Sequence, residues 1–247
     1  GVTMNHYTIL MLGYNSRPWI NTSLQSALQQ DHPSYDIVAM NDATTDGTGD
    51  LLRQTEQEND NMTVVTRTKN VGQIVNWYDG IRLAKDGSIV VILDMDDWFP
   101  HKDVLRRLDE HYDENTWITY GSMYKTSTGD SVCGLGNFPD EVVENNSYRK
   151  HNWIATHLRT FRKELALKVD KKDLQYDDGT WFRKCGDLAE TYPMLEMSGG
   201  RHKFIEEPLY VYNEHNPNSE FRQYAEEQLN VESIINNRSP YAKLDTL

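Results

Sequence analysis

The chain has 247 residues, enough for one large α/β domain or two small ones with a substantial buried core. It carries 25 Lys and Arg against 38 Asp and Glu, a formal net charge of -13. That argues against a nucleic-acid partner, because binding to a phosphate backbone needs an excess of cations. The two cysteines, Cys133 and Cys185, make no disulfide framework. No apolar run reaches the length of a membrane span, and the first residues lack the basic start and long apolar core of a secretory signal. A soluble cytoplasmic protein is expected.

Residues 6–12 read as a first strand. Gly13-Tyr14-Asn15-Ser16-Arg17 is turn chemistry, with Pro18 placed to open a helix. The spacing of Ile20, Leu24, Ala27 and Leu28 predicts a helix over 19–30. A second strand, 35–40, runs into the polar loop Asn41-Asp42-Ala43-Thr44-Thr45-Asp46-Gly47-Thr48, and a helix over 49–58 follows. Residues 62–66 read as a third strand. Residues 71–84 read as a helix with Ile74, Val75, Ile81 and Leu83 on its apolar face, ended by Gly87. Then come Ile89, Val90, Val91, Ile92 and Leu93, a strand buried on both faces, which stops in Asp94-Met95-Asp96-Asp97.

The second half is less regular. A helix is expected over 101–112 and a strand over 117–120. Residues 121–146 form a long turn-rich stretch, suited to ordering over a substrate. Residues 157–161 look extended and 162–169 helical. Helix-forming stretches lie within 177–195, around Cys185-Gly186-Asp187. Short strands are expected at 204–206 and 209–212, and an acidic amphipathic helix over 220–236.

Strand and helix alternate through the first half, which predicts a parallel, doubly wound α/β sheet. Its crossovers would bring together the loops after the first, second and fourth strands, at the carboxyl edge where such sheets bind ligands. Three carboxylates within four residues at that edge suit a hard divalent cation, Mg²⁺ or Mn²⁺, shared with substrate phosphates. Taken alone, the same residues are more often an acidic turn and a helix cap.

In their order along the chain, four segments resemble the inverting, family-2-like glycosyltransferases of the GT-A fold. They are 7–17, 37–47, Asn70-Val71-Gly72 with Gly80, and 93–98. Gly186-Asp187-Leu188-Ala189 and Pro208-Leu209-Tyr210-Val211-Tyr212-Asn213 resemble that family's second-half segments. The chain is also similar to a glycosyltransferase domain of chlorella-virus multidomain proteins, which implies further domains in a full-length protein. Asn41 and Ala43 depart from the family's usual Asp and Gly, and Trp77, Tyr78 and Asp79 stand where Arg-Asn usually precedes the glycine.

The resemblance implies a single GT-A domain. Residues 6–100 would form the nucleotide half, 101–215 the acceptor half and 216–247 a helical tail. It implies a UDP-sugar donor, a glucose or rhamnose type of hexose, a glycan hydroxyl as acceptor and Mn²⁺ or Mg²⁺ as cofactor. Asp42 would accept from the nucleobase and Tyr14 flank it. Asn15, Arg17, Asn70, Gln73 and Asp94 complete the donor-binding set, and Asp96 with Asp94 holds the metal. Asp97 would cap the following segment or hold water. Asp187 would be the base, with Asp177 and Asp178 as rivals. His157, Arg159 and His215 are open candidates for donor or metal contacts.

Two other functions fit an α/β chain of this kind. A sugar-1-phosphate nucleotidyltransferase would have a Gly-rich basic loop after the first strand, but 13–17 holds one Gly and one cation. A non-catalytic sugar-binding module would not need Asp94, Asp96 and Asp187 together.

Overall fold

The computed structural model describes residues 4–127, 131, 132, 134–217 and 225–247. Four parallel strands form one half of the sheet: β1 (Tyr7–Gly13), β2 (Tyr35–Asn41), β3 (Met62–Thr66) and β4 (Ile89–Asp94). The helices between them are α1 (Ile20–Leu28), α2 (Thr48–Glu58) and α3 (Gln73–Leu83). Five more elements follow: α4 (Val104–Asp109), β5 (Ile118–Lys125), β6 (Ser131–Val132), α5 (Asp140–Glu144) and β7 (Thr160–Arg162). The chain closes with α6 (Lys163–Ala166), α7 (Gly186–Ser198), β8 (His202–Tyr212) and α8 (Ala225–Asn237).

The sheet order is β3-β2-β1-β4-β7-β5-β6, with β8 paired to β5. From β1 the chain winds outward through β2 and β3, then returns to β4 on the other side of β1. The seam between β1 and β4 is therefore a topological switch point, and a crevice opens outside its carboxyl ends. The register sets Leu12 beside Asp94 and Gly13 beside Asn41, so the three loops leave the sheet at one level.

Strand alternation sorts the core onto two faces. Leu10, Leu12, Val90 and Ile92 pack with Ile74, Trp77 and Ile81 of α3 and with the α7 side. Tyr7, Ile9, Met11, Val91 and Leu93 pack with Ile20, Leu24 and Ala27 of α1 and with α4. Helix α3 lies so close to β1 that a Cβ on Gly80 would come within 2.6 Å of Leu10 Cδ1.

The first half follows the expected pattern to within a residue or two at each end. The second half departs from it more. The helix expected over 101–112 keeps only its middle, Val104–Asp109. The fifth strand runs on to Lys125, because β8 pairs along it in parallel. The two late strands are one, 11 residues long, with register shifts opposite 121–124. In 157–161 the strand begins only at Thr160, and α7 starts at Gly186. Residues 128–130, Cys133 and 220–224, the first part of the span expected to be the last helix, lie outside the described residues. No described helix is long and apolar enough to cross a membrane.

Candidate active site

The loops after β1, β2 and β4 meet at the switch point, as expected. Asn15 Oδ1 accepts from Thr45 N at 2.8 Å, and the Arg17 amide donates to Asp46 Oδ2 at 3.0 Å. Asn15 thus turns into the loop network, and Arg17 is exposed with its side chain beside Gly47. Neither is among the residues lining the cleft.

That cleft has a volume of about 890 Å³. Tyr14, Asp42, Asn70, Gln73, Asp94, Asp96 and Asp187, the rest of the expected set, all line it. Asp42 is 4% exposed, and its two carboxylate oxygens accept from the amides of Val71 and Gly72, both at 2.9 Å. Tyr14 stands out at 46% exposure. Asn70 donates to the Asp42 carbonyl, and Gln73 Nε2 donates to Asp94 Oδ1 at 2.9 Å.

The three clustered carboxylates have different surroundings. Asp97 is buried, and its oxygens accept from the Tyr210 hydroxyl at 2.6 Å and the Asn213 amide at 2.8 Å. The same Tyr210 hydroxyl accepts from the Asp94 amide at 3.2 Å. Asp96 Oδ2 accepts from Asn216 Nδ2 at 2.9 Å. Asp94 Oδ2 lies 3.9 Å from His157 Nε2. Strand β8 and the residues after it therefore hold the whole acidic turn from outside the parallel half.

Burial, then the charges of Asp96 and Asp94, push the Asp97 carboxyl well above the usual carboxylate range. Burial also raises Asp96, against the opposing hydrogen bond from Asn216. Burial, helped by Arg159, holds His157 well below the usual imidazole range, so the ring is neutral. Each of these shifts favours the form that adds negative charge least or positive charge least, as expected where acidic groups and an imidazole share a poorly solvated corner. Asp94, Asp97 and His157 each place a ligand atom within 4.8 Å of the others. Oxygen donors with one neutral imidazole fit a divalent cation of the Mn²⁺ kind.

Asp187 sits in the first turn of α7, where the helix dipole favours a carboxylate. The turn before it is forced by Cys185, whose φ is 58°, and by Gly186, where a Cβ would meet Ile74 Cγ1 at 2.9 Å. The rivals Asp177 and Asp178 are exposed and do not line the cleft. His215 is also exposed and outside the lining, whereas Asn216 is buried and inside it.

Several lining residues were not singled out from the sequence. Arg183 donates to Asn70 Oδ1 at 2.8 Å and packs on Gly72, whose φ of 94° and lack of a Cβ permit the approach. Lys184, Trp153 and, from α8, Glu227 and Glu232 line the cleft as well. Nothing local in the sequence marks them, since each arrives from a distant element.

Comparison with known proteins fits this geometry. The model of glycosyl transferase family 2 matches residues 8–184. The chain belongs to this family. It is a glycosyltransferase with the GT-A fold. A Bacillus subtilis glycosyltransferase named for teichuronic acid biosynthesis is 33% identical over 90 residues, which is 36% of this chain and 35% of that protein. Among solved structures, S. aureus TarS in complex with UDP-GlcNAc superposes with a TM-score of 0.67 at 17% identity, covering 93% of this chain and 65% of that one. A mannosyltransferase from Pyrobaculum calidifontis, in complex with GDP-mannose and Mn²⁺, does so with a TM-score of 0.60 at 22% identity, covering 85% of this chain and 57% of that one. This glycosyltransferase thus spans about a third of the length of its Bacillus relative and less than two thirds of either solved chain.

Proposed function

We propose that this glycosyltransferase is metal-dependent and inverting, and that it moves a hexose of the glucose or rhamnose type from a UDP-sugar to a glycan hydroxyl. The observation that carries the reading is a single cleft, about 890 Å³, lined by Asp94, Asp96 and Asp97 and also by Asp187. It provides a place for a metal–diphosphate and a base in one cleft.

Asp42 takes the nucleobase. Each of its oxygens already accepts one amide. A carboxylate offers about four lone-pair positions, which leaves room for the N3–H of uracil. Tyr14 flanks the base, and Asn70 with Arg183 shapes the adjoining wall. Gln73 orients Asp94 toward the ribose or the ion. Asp94 and Asp96 hold Mn²⁺ or Mg²⁺, while Asp97, tied on both oxygens, fixes the turn that presents them. The ion, when bound, offsets the charge that develops on the departing nucleoside diphosphate. Asp187 takes the proton of the acceptor hydroxyl as it attacks, and a single displacement with one base inverts the anomeric centre. The nucleotide sugars and Mn²⁺ held by the two solved relatives support the donor class and the metal. The division into nucleotide half, acceptor half and tail, and a place in a longer protein, belong to the same proposal.

The test is ¹H NMR of UDP-hexoses incubated with the protein and Mn²⁺. An α-linked donor such as UDP-glucose should release UDP, with the β-anomer of the sugar or product appearing first, and chelation should stop the reaction. Retention of the donor's anomeric configuration, or turnover unaffected by chelation, would contradict the proposal.

A further inference from the structure

We propose that the half-buried indole of Trp153 is the platform on which the acceptor lays a sugar ring, and that the acceptor is an uncharged glycan, not a phosphate- or uronate-bearing one. The inference rests on the reading of Asp187 as the base and names the chemistry of the acceptor in that reading.

Trp153 lines the cleft and is half-buried. It meets Tyr192 edge to face, with centroids 5.3 Å apart and planes 82° apart. Tyr192 is 2% exposed and follows Asp187 by five residues on α7, about 7.5 Å along the helix axis. Leu188, Thr191 and Met194 of the same helix line the cleft with Asp187. The indole therefore borders the helix that carries the base. A saccharide that rests a ring on Trp153 lies alongside the row of residues that ends in Asp187.

The other rings in the described lining are engaged elsewhere. Tyr14 stands in the loop after β1, Phe161 is 2% exposed, and Tyr212 and His157 stack on each other. A sugar ring presents C–H groups on a face and hydroxyls at its rim. It gains from a large flat apolar side chain flanked by polar groups, and an indole supplies that area with little loss of conformational freedom.

Charge sets the class of glycan. Asp187 and Glu190 of α7 line the cleft, as do Glu227 and Glu232 of α8. Tyr192 shows that two of them are near the indole. Burial first, then the charges of Glu232 and Asp187, push its hydroxyl up to about 12. Of the cations in the described lining, Arg183 donates to Asn70 and Arg159 lies 3.4 Å from His157, both on the donor side, and Lys184 is buried. An anionic acceptor would meet like charge beside Trp153, whereas a neutral one would not.

The experiment is binding of the full chain, with UDP and Mn²⁺ present, to an array of oligosaccharides that are neutral, uronate-bearing or phosphate-bearing. Binding confined to neutral oligosaccharides is expected. Trp153→Ala should weaken it roughly ten- to a hundredfold, and Trp153→Tyr, which keeps a ring, by less than about fivefold. Calorimetry with UDP checks that each variant is folded. The double variant Glu227→Gln, Glu232→Gln should admit uronate-bearing chains. Preference for anionic oligosaccharides, their continued exclusion by the double variant, unchanged binding in Trp153→Ala, or no oligosaccharide held by a protein that binds UDP would overturn this inference alone. Failure to bind UDP with Mn²⁺ present would overturn the donor reading and this inference with it.

Discussion

Tyr210 is where the two halves of the sheet are tied at the site, and removing its hydroxyl should be costly. In Tyr210→Phe the ring still stacks on His157, but two buried hydrogen bonds go. One is the 2.6 Å bond to Asp97 Oδ2, the other the 3.2 Å bond from the Asp94 amide. Tyr210 is 0% exposed and Asp97 1% exposed, so water does not readily replace either bond. An unsatisfied buried polar group costs about 1–3 kcal/mol. Two such groups, with some relaxation, give an expected loss of about 3 kcal/mol. For a chain of this size that is a drop of roughly 6–12 °C in melting temperature. Urea unfolding of Tyr210→Phe, Asp97→Asn and the double variant would measure it, and the cycle should show coupling of at least about 1 kcal/mol. A Tyr210→Phe protein within about 0.5 kcal/mol of wild type would refute the reasoning, since that is the range of an uninvolved surface change.

Other outcomes follow from the same structure. Asp187→Asn should bind UDP normally yet lose about 10²–10⁴ in transfer rate, read by donor calorimetry beside a turnover assay; wild-type turnover would place the base elsewhere. Glu196→Ala should cost about 3–5 kcal/mol in denaturant unfolding, because it strands Arg149, which donates to both Glu196 oxygens at 3.0 and 2.8 Å inside the core. Burial lowers His202 to about 4, so between that value and about 6.5 the unfolded chain binds more protons than the folded one. The associated stability is present in full above about pH 6.5 and is lost as pH falls toward 4, by about 3 kcal/mol in total. The difference in unfolding free energy between wild type and His202→Gln should change by that amount across this window, and a constant difference would count against it.

The first half of the fold was legible because its signals are local. The largely apolar run of 7–12 and the continuous apolar run of 89–93 match the burial of those strands on both faces. In helix α3 the expected Ile74 and Ile81 do enter the core, whereas Leu83 is exposed and Trp77, not among the residues expected on the apolar face, is buried with them. The second half was harder because β5 is defined by partners far along the chain: β7 antiparallel on one side, β8 parallel and irregular on the other. No local pattern announces a strand that joins the sheet so late.

The site divides in the same way. The sequence placed Asp42, Asp94 and Asp96 at the cleft because they follow strands that it marks. Asn15 and Arg17 stand in the loop after β1, where the Asn15 side chain and the Arg17 backbone amide bond to the loop after β2. Tyr210 was visible only as part of a late strand motif. That its hydroxyl would meet Asp97, 113 residues earlier, depends on the pairing of β8. Arg183 meets Asn70 across an equal separation in the chain, and only the finished fold brings them together.

The central claim, a metal-dependent nucleoside-diphosphate site at the β1–β4 seam, is most directly tested by calorimetric titration of UDP, GDP and TDP into the protein with and without Mn²⁺, repeated with Asp96→Ala. The account predicts UDP binding that requires Mn²⁺, is favoured over the other two nucleotides, and weakens at least tenfold in Asp96→Ala. UDP binding of equal strength without the metal, or unchanged in Asp96→Ala, would contradict it.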